Sequence, residues 1–411
     1  MDLPNVHGST IGEALVAPKL SSAPAALGEF RTDPATSLSL LVWAHFLNDG
    51  ASSYLPGVLP AILISYNIPL KMVGTVMAAL LIGQALQPLC GWISDEIGGR
   101  AFVIVGAGLS ALGGGLVGLA PGYWSLLGAL LVIGCGSAMF HPQALVAVRR
   151  LPMRRQGLAM STFLIGGELG RGGWPLLASI VVVWLGTKGL ILMAVPAAVT
   201  LPFILPRIPS TPRRHPDLPR SSLRRHAPAL TALVAYSSLR ATLMYSLGTF
   251  LPILWVSEGG SLVGGASLVT VLLTVGIIGN LAGGHLADSF GRRPVLLVAT
   301  ALSAVFMAAL LLSHGVLLWL FLGLLGIVVF ATMPVQILIG QDILPRNRSL
   351  GSGLALGFSN GLGAFVMIAL GVLAARWSIP AVLWLNVGFS VLALMVAPFL
   401  PDAPAHSLAS V

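Results

Sequence analysis

Gly284-His285-Leu286-Ala287-Asp288-Ser289-Phe290-Gly291-Arg292-Arg293 separates two long apolar runs. About half a chain earlier, Gly91-Trp92-Ile93-Ser94-Asp95-Glu96-Ile97-Gly98-Gly99-Arg100 repeats its skeleton of Gly, three residues, Asp, two residues, Gly and then a basic residue. The skeleton suits a membrane surface. An Asp ends one spanning helix, a Gly permits a tight turn, and an Arg opens the next helix on the side where positive charge collects. Two copies between apolar segments predict an internal repeat.

Composition excludes a soluble globule. Hydrophobic residues make up 56% and charged residues 9% of the 411 positions, against roughly 25% charged in soluble domains. Mean hydropathy is +0.93. The net charge of +9 would point to nucleic acid in a soluble chain. Here no nucleic-acid recognition module is present, and the basic excess falls in short loops, where it sets topology. Cys90 and Cys135 both lie in apolar runs and are read as packing residues, not as a disulfide framework or a metal site. Gly113-Gly114-Gly115 lies within a span, with no strand before it and no Lys-Ser/Thr after it, so it is no phosphate loop. With no nucleophile–base or metal constellation either, neither an enzyme nor a cofactor is expected. The energy source for any transport is then an ion gradient.

The apolar runs place spans near 37–64, 69–93, 101–120, 122–147, 156–184 and 188–206, and again near 228–255, 264–287, 294–313, 315–341, 350–375 and 379–400. The division is a cytoplasmic N-terminal tail (1–36), an N-terminal six-helix half (37–206), a Pro-rich basic cytoplasmic linker (207–227), a C-terminal six-helix half (228–400) and a C-terminal tail (401–411). Leu151-Pro152 matches Leu344-Pro345 at nearly the offset of Asp95 and Asp288, and Pro142 lies one residue off register from Pro334. An even number of crossings separates the copies, so both have the same orientation. The expected fold is an all-α integral membrane protein of twelve transmembrane helices, its halves related by a pseudo-two-fold axis along the membrane normal. Arg100, Arg149, Arg150, Arg154, Arg155, the linker arginines, Arg292, Arg293, Arg346 and Arg348 fall on one side, against Lys71, Lys188 and Arg376 on the other. Both termini are therefore expected in the cytoplasm.

On these loops, halves and linker, the chain resembles a major facilitator superfamily transporter over roughly residues 37–400. More narrowly, it is similar to the fosmidomycin-resistance branch. His45-Phe46-Leu47-Asn48-Asp49, Phe140-His141-Pro142, Gly166-Gly167 with Gly170, and Gly340-Gln341-Asp342-Ile343-Leu344-Pro345 carry that likeness. The resemblance implies proton-driven drug efflux from a bacterial inner membrane by a monomer, with a small-molecule substrate, protons and the lipid bilayer as partners. It also implies that the two loops clasp the halves on the cytoplasmic side when the outside is open. Asp95, Arg100, Asp288, Arg292 and Arg293 would then be gating residues, the other reading being plain topology determinants. The chain departs from related antiporters in Gly99, in Trp174-Pro175 where they have Gly-Pro, and in the charged Glu168 and Arg171 of the fifth span.

Ionisable groups within spans cost roughly 3 kcal/mol on insertion scales, so each is a functional candidate. They are His45, Asp49, His141, Glu168, Arg171 and Arg240. His45 and Asp49 are four apart and share a helical face, which suits a proton relay. The alternative is that Asn48-Asp49-Gly50 marks a helix irregularity with Asp49 capping freed amides. Glu168 and Arg171, three apart, form either a structural ion pair or a proton acceptor beside an anion-binding Arg. Arg240 holds a phosphonate, phosphate or carboxylate, or else pairs with Asp49 or Glu168. His141 contributes to proton entry or substrate contact, or bonds a carbonyl freed by Pro142. The glycines around Glu168 serve close packing or gating. Trp43, Tyr54, Gln84, Gln87, Tyr245, Gln336 and Asn360 are further candidates to line a central cavity. The expected function is proton-coupled antiport of a drug-like or anionic molecule. Proton-coupled uptake of an organic anion and a non-transporting membrane sensor are the alternatives.

Overall fold

The structure, a computed structural model, describes residues 33–97, 99–153, 156–204, 207–208, 224–344 and 348–402, without the side chains of 95–97, 149, 156–158, 161 and 348–349. Most of both tails and of the linker, together with Arg154, Arg155 and Arg346, lies outside the described residues, as do the side chains of Asp95, Arg149 and Arg348.

Among the described residues the regular structure is all helical. The first span is α1 (Pro34–Ser53) followed by α2 (Leu55–Ser65), with the break at Tyr54. Asp33 starts α1, its carboxylate accepting from the N–H groups of Ala35 and Thr36 at 3.0 Å each, and Pro34 fills a position that needs no donor. The second span is α3 (Val73–Gln84) and α4 (Gln87–Ile97). Then come α5 (Arg100–Val117), α6 (Tyr123–Arg150), α7 (Gln156–Leu185), and a 3-10 stretch Thr187–Ala194 running into α8 (Val195–Ile204). The second half holds α9 (Ala227–Ser257), α10 (Leu262–Phe290), α11 (Arg292–Leu312) and α12 (Val316–Ile343). Its fifth span is α13 (Arg348–Gly353), a π-helical turn Leu354–Phe358 and α14 (Ser359–Arg376), and its sixth is α15 (Ile379–Val396). Gly291 turns the chain between α10 and α11 at φ 89°, a left-handed conformation that explains the Gly of the opening motif.

Among the described residues, ten helical stretches are long and apolar enough to cross a bilayer. The other two spans are α1–α2 and α7, which carry His45, Asp49, Glu168 and Arg171. All twelve expected spans are helical. Large apolar side chains within the spans, including Ile278, Val298, Val305 and Phe365, are exposed, as expected of helix faces that meet lipid.

The halves meet chiefly along two seams, α3 against α14 and α7 against α10, with α2 also touching α9 and α10. Small residues line both: Gly74 lies against the Met367 carbonyl, Gly371 against Gly74, and Gly172 against Thr274. Without a hydrophobic drive between helices in lipid, such close backbone approach supplies the contact energy.

Candidate functional site

Asp49 is the centre of a buried charge cluster. It is 1% exposed and His45 4%. The chain brings it there because α1 continues as helix through Asn48-Asp49-Gly50 and packs against α7 through glycines. Gly166 lies against Val42, Gly167 against the His45 ring, Gly170 against the Phe46 carbonyl and Gly50 against Trp174. Each Asp49 oxygen then has two neighbours. Oδ1 accepts from Asn48 Nδ2 at 3.0 Å and faces His141 Nε2 at 2.9 Å. Oδ2 accepts from Arg171 Nη2 at 3.0 Å and faces His45 Nε2 at 3.4 Å. Asn48 is held in turn by the Ser110 hydroxyl at 2.9 Å.

The outer nitrogens of both imidazoles are fixed. His45 Nδ1 lies 2.8 Å from the Phe163 carbonyl and His141 Nδ1 2.9 Å from the Ser137 carbonyl. A carbonyl only accepts, so both Nδ1 atoms donate. A neutral ring would then turn a lone pair toward Asp49, and the 2.9 Å contact of His141 needs a shared proton or another cation. His141 packs edge-on to His45, with ring centroids 5.5 Å apart, and its side chain is 24% exposed.

Arg171 joins this cluster to Glu168, its Nη1 lying 3.6 Å from Glu168 Oε1. That same oxygen accepts from Asn280 Nδ2 at 3.0 Å, a bond from α10 that crosses between the halves. Glu168 Oε2 is buried and has no hydrogen-bond partner among the described residues. On the other seam Gln84 Oε1 accepts from Tyr245 Oη at 3.1 Å and Asn360 Nδ2 at 3.0 Å, again across the halves. The π-helical turn sits beside this junction, Gly357 lying against Gln84 and Gln87.

Arg240 pairs with no acid among the described residues. Its Nε donates to Thr332 Oγ1 at 3.0 Å. Of the other candidate lining residues, Tyr54 donates to the Gly114 carbonyl at 2.6 Å and Trp43 to Thr200 Oγ1 at 2.9 Å, both within the N-terminal half. Gln336 accepts from Ser237 at 2.9 Å within the C-terminal half. At the loop end, Arg292 forms an ion pair with Asp342 of α12. The Arg293 guanidinium donates to the Leu400 carbonyl at 2.8 and 3.1 Å. Asp288 is exposed, and Arg100 opens α5.

A profile of the Major Facilitator Superfamily matches residues 41–276 and 244–410. The chain belongs to the major facilitator superfamily.

Among curated members of the superfamily, it is 28% identical over 345 residues to the uncharacterized MFS-type transporter YfnC of Bacillus subtilis, covering 80% of this chain and 84% of that one. It is 26% identical over 379 residues to the fosmidomycin resistance protein of Escherichia coli, covering 89% and 92%. Of solved structures, the nucleoside transporter NupG superposes with a TM-score of 0.73 at 14% identity, covering 89% of this chain and 99% of that one. The D-xylose-proton symporter superposes at 0.70 and 16% identity, covering 90% and 98%. These likenesses establish the fold, and with the family they make the chain a multi-pass membrane protein of a transporter superfamily resembling the fosmidomycin-resistance branch.

Sequence reading misses Asn48, Asn280 and Asp342 as members of these clusters. Asp342 stands in the quoted Gly340–Pro345 motif and was legible there as a charge at a span end. Asn48 and Asn280 are neutral amides in apolar runs, and no spacing marks their partners.

Proposed function

We propose that this chain is a secondary active transporter that exports a drug-like or anionic small molecule across a bacterial inner membrane in exchange for protons. It works as a monomer with both termini cytoplasmic, by alternating access of its two six-helix halves. The observation that carries this reading is the unequal satisfaction of two buried acids joined by Arg171. Asp49 has four polar neighbours, whereas Glu168 has one amide bond, a looser contact to Arg171 and an unpartnered Oε2. Asp49 therefore anchors Arg171, and Glu168 is the acid free to exchange partners.

Antiport needs proton and substrate to compete for one group. A substrate N–H or O–H bonded to Glu168 Oε2 occupies the atom that a proton would take, so one displaces the other. An anionic end of the same substrate meets the Arg240 fork, with His141 and the outer edge of Arg171 as further contacts. Because Asn280 reaches Glu168 from the other half, protonation of Glu168 also weakens a bond that spans the moving parts. Asp95, Arg100, Asp288, Arg292 and Arg293 gate the cytoplasmic end. The name of the Escherichia coli relative supports fosmidomycin, which carries both a phosphonate and an N–OH donor, as the first compound to try.

The test uses proteoliposomes with an internal pH indicator and a panel of fosmidomycin and organic anions. Substrate leaving as protons enter supports exchange. Protons and substrate moving together would mean that protonation of Glu168 frees Arg171 for an anion, and uptake would replace export.

A further inference from the structure

We infer that His45, Asp49 and His141 form a binding site for one divalent transition-metal ion of the zinc and cobalt type. The ligand atoms of these three residues all lie within 4.8 Å of one another. Tetrahedral bonds of about 2.0–2.2 Å put neighbouring ligand atoms about 3.3 Å apart. His141 Nε2 lies 2.9 Å from Asp49 Oδ1 and His45 Nε2 lies 3.4 Å from Oδ2, so each imidazole faces its own carboxylate oxygen, and one ion is held either by both oxygens or after a small shift of one ring.

The second argument is the direction of the rings. Metal-bound histidines characteristically donate their other nitrogen to a carbonyl or carboxylate, which fixes the tautomer and aims the lone pair. Both histidines do this, to Phe163 and Ser137. Two imidazole lone pairs thus aim at the two oxygens of one carboxylate, where they repel unless a proton or a metal cation lies between them. Two imidazoles with one carboxylate suit zinc, cobalt, nickel or ferrous iron better than magnesium or calcium, which prefer oxygen ligands alone. Entry is through His141, whose side chain is 24% exposed. An ion on Asp49 Oδ2 displaces Arg171, which has Glu168 Oε1 at 3.6 Å as its remaining partner. The inference stands apart from the transport reading, since metal binding is measured without any substrate.

The experiment is a Co2+ titration of the purified full chain carrying a tag without histidine, after chelator treatment. The expected result is one Co2+ per chain with the visible absorption of a tetrahedral nitrogen–oxygen site. Zn2+ should displace it. Losing a partner that merely supports a ligand weakens metal binding 10–100-fold, so His45→Ala or His141→Ala should each weaken it by more than about 100-fold. A Cys90→Ser/Cys135→Ser variant should bind as wild type does. X-ray absorption at the cobalt edge of the wild-type complex gives a reading that needs no variant, and two imidazoles in the first coordination sphere would support the site. No stoichiometric binding, a sulfur or all-oxygen shell, or binding that survives both histidine substitutions would overturn the inference.

Discussion

Arg171 Nη2 donates to Asp49 Oδ2 at 3.0 Å, from the fifth span to the first, with Asp49 buried and Arg171 half-buried. Removing one partner of a buried pair costs about 3–5 kcal/mol, and here His45, His141 and Asn48, which still face Asp49, offset part of that loss. Arg171→Ala should therefore lower the thermal unfolding midpoint in detergent markedly. Adding Asp49→Asn should restore part of the loss, because it removes the buried charge that has lost its guanidinium. An unchanged midpoint in the single variant would show that the pair is not part of what holds α1 to α7.

The α1–α7 seam makes a second, steric prediction. A Cβ at Gly170 would run into the Phe46 carbonyl, while one at Gly173 meets nothing within 4 Å. Overpacking costs about 1–3 kcal/mol, so Gly170→Ala should destabilise by that amount and Gly173→Ala should be close to neutral. Equal unfolding midpoints for the two variants would contradict the seam.

Gln84 takes two hydrogen bonds from the opposite half. Interhelical bonds in membranes average about 0.6 kcal/mol. Gln84→Ala should thus shift the balance between inward- and outward-open states by roughly 3- to 10-fold, and Tyr245→Phe by less. Accessibility of single cysteines placed at the two mouths measures this shift. No change in either variant would make Gln84 a local packing residue.

The spans were legible in the sequence because each is an apolar run ended by charge, Gly or Pro, and the loop motif located Gly291. Helix breaks at Tyr54 and between Gln84 and Gln87 were not, since Pro56 and Pro88 just after them are also tolerated inside transmembrane helices and so do not mark a break by themselves. Spacing placed His45 beside Asp49 and Glu168 beside Arg171, because three- and four-residue intervals share a helix face. It could not bring His141 to Asp49, as periodicity identifies a face but not the helix it will meet. Arg240 was read as substrate contact or ion pair. Its bond to Thr332 was invisible because a threonine in an apolar span carries no charge signal.

The central claim is that Glu168 is the group on which proton and substrate compete. It is tested most directly by substrate-driven proton flux in proteoliposomes, comparing wild type with Glu168→Gln, which keeps the shape and the carbonyl facing Asn280. Proton flux should fall at least about 10-fold, the loss expected when a positioned proton-transfer group is removed, and substrate binding should weaken as well, because the amide NH2 that takes the place of Oε2 cannot accept from the substrate. Proton flux at the wild-type level in Glu168→Gln would contradict the account.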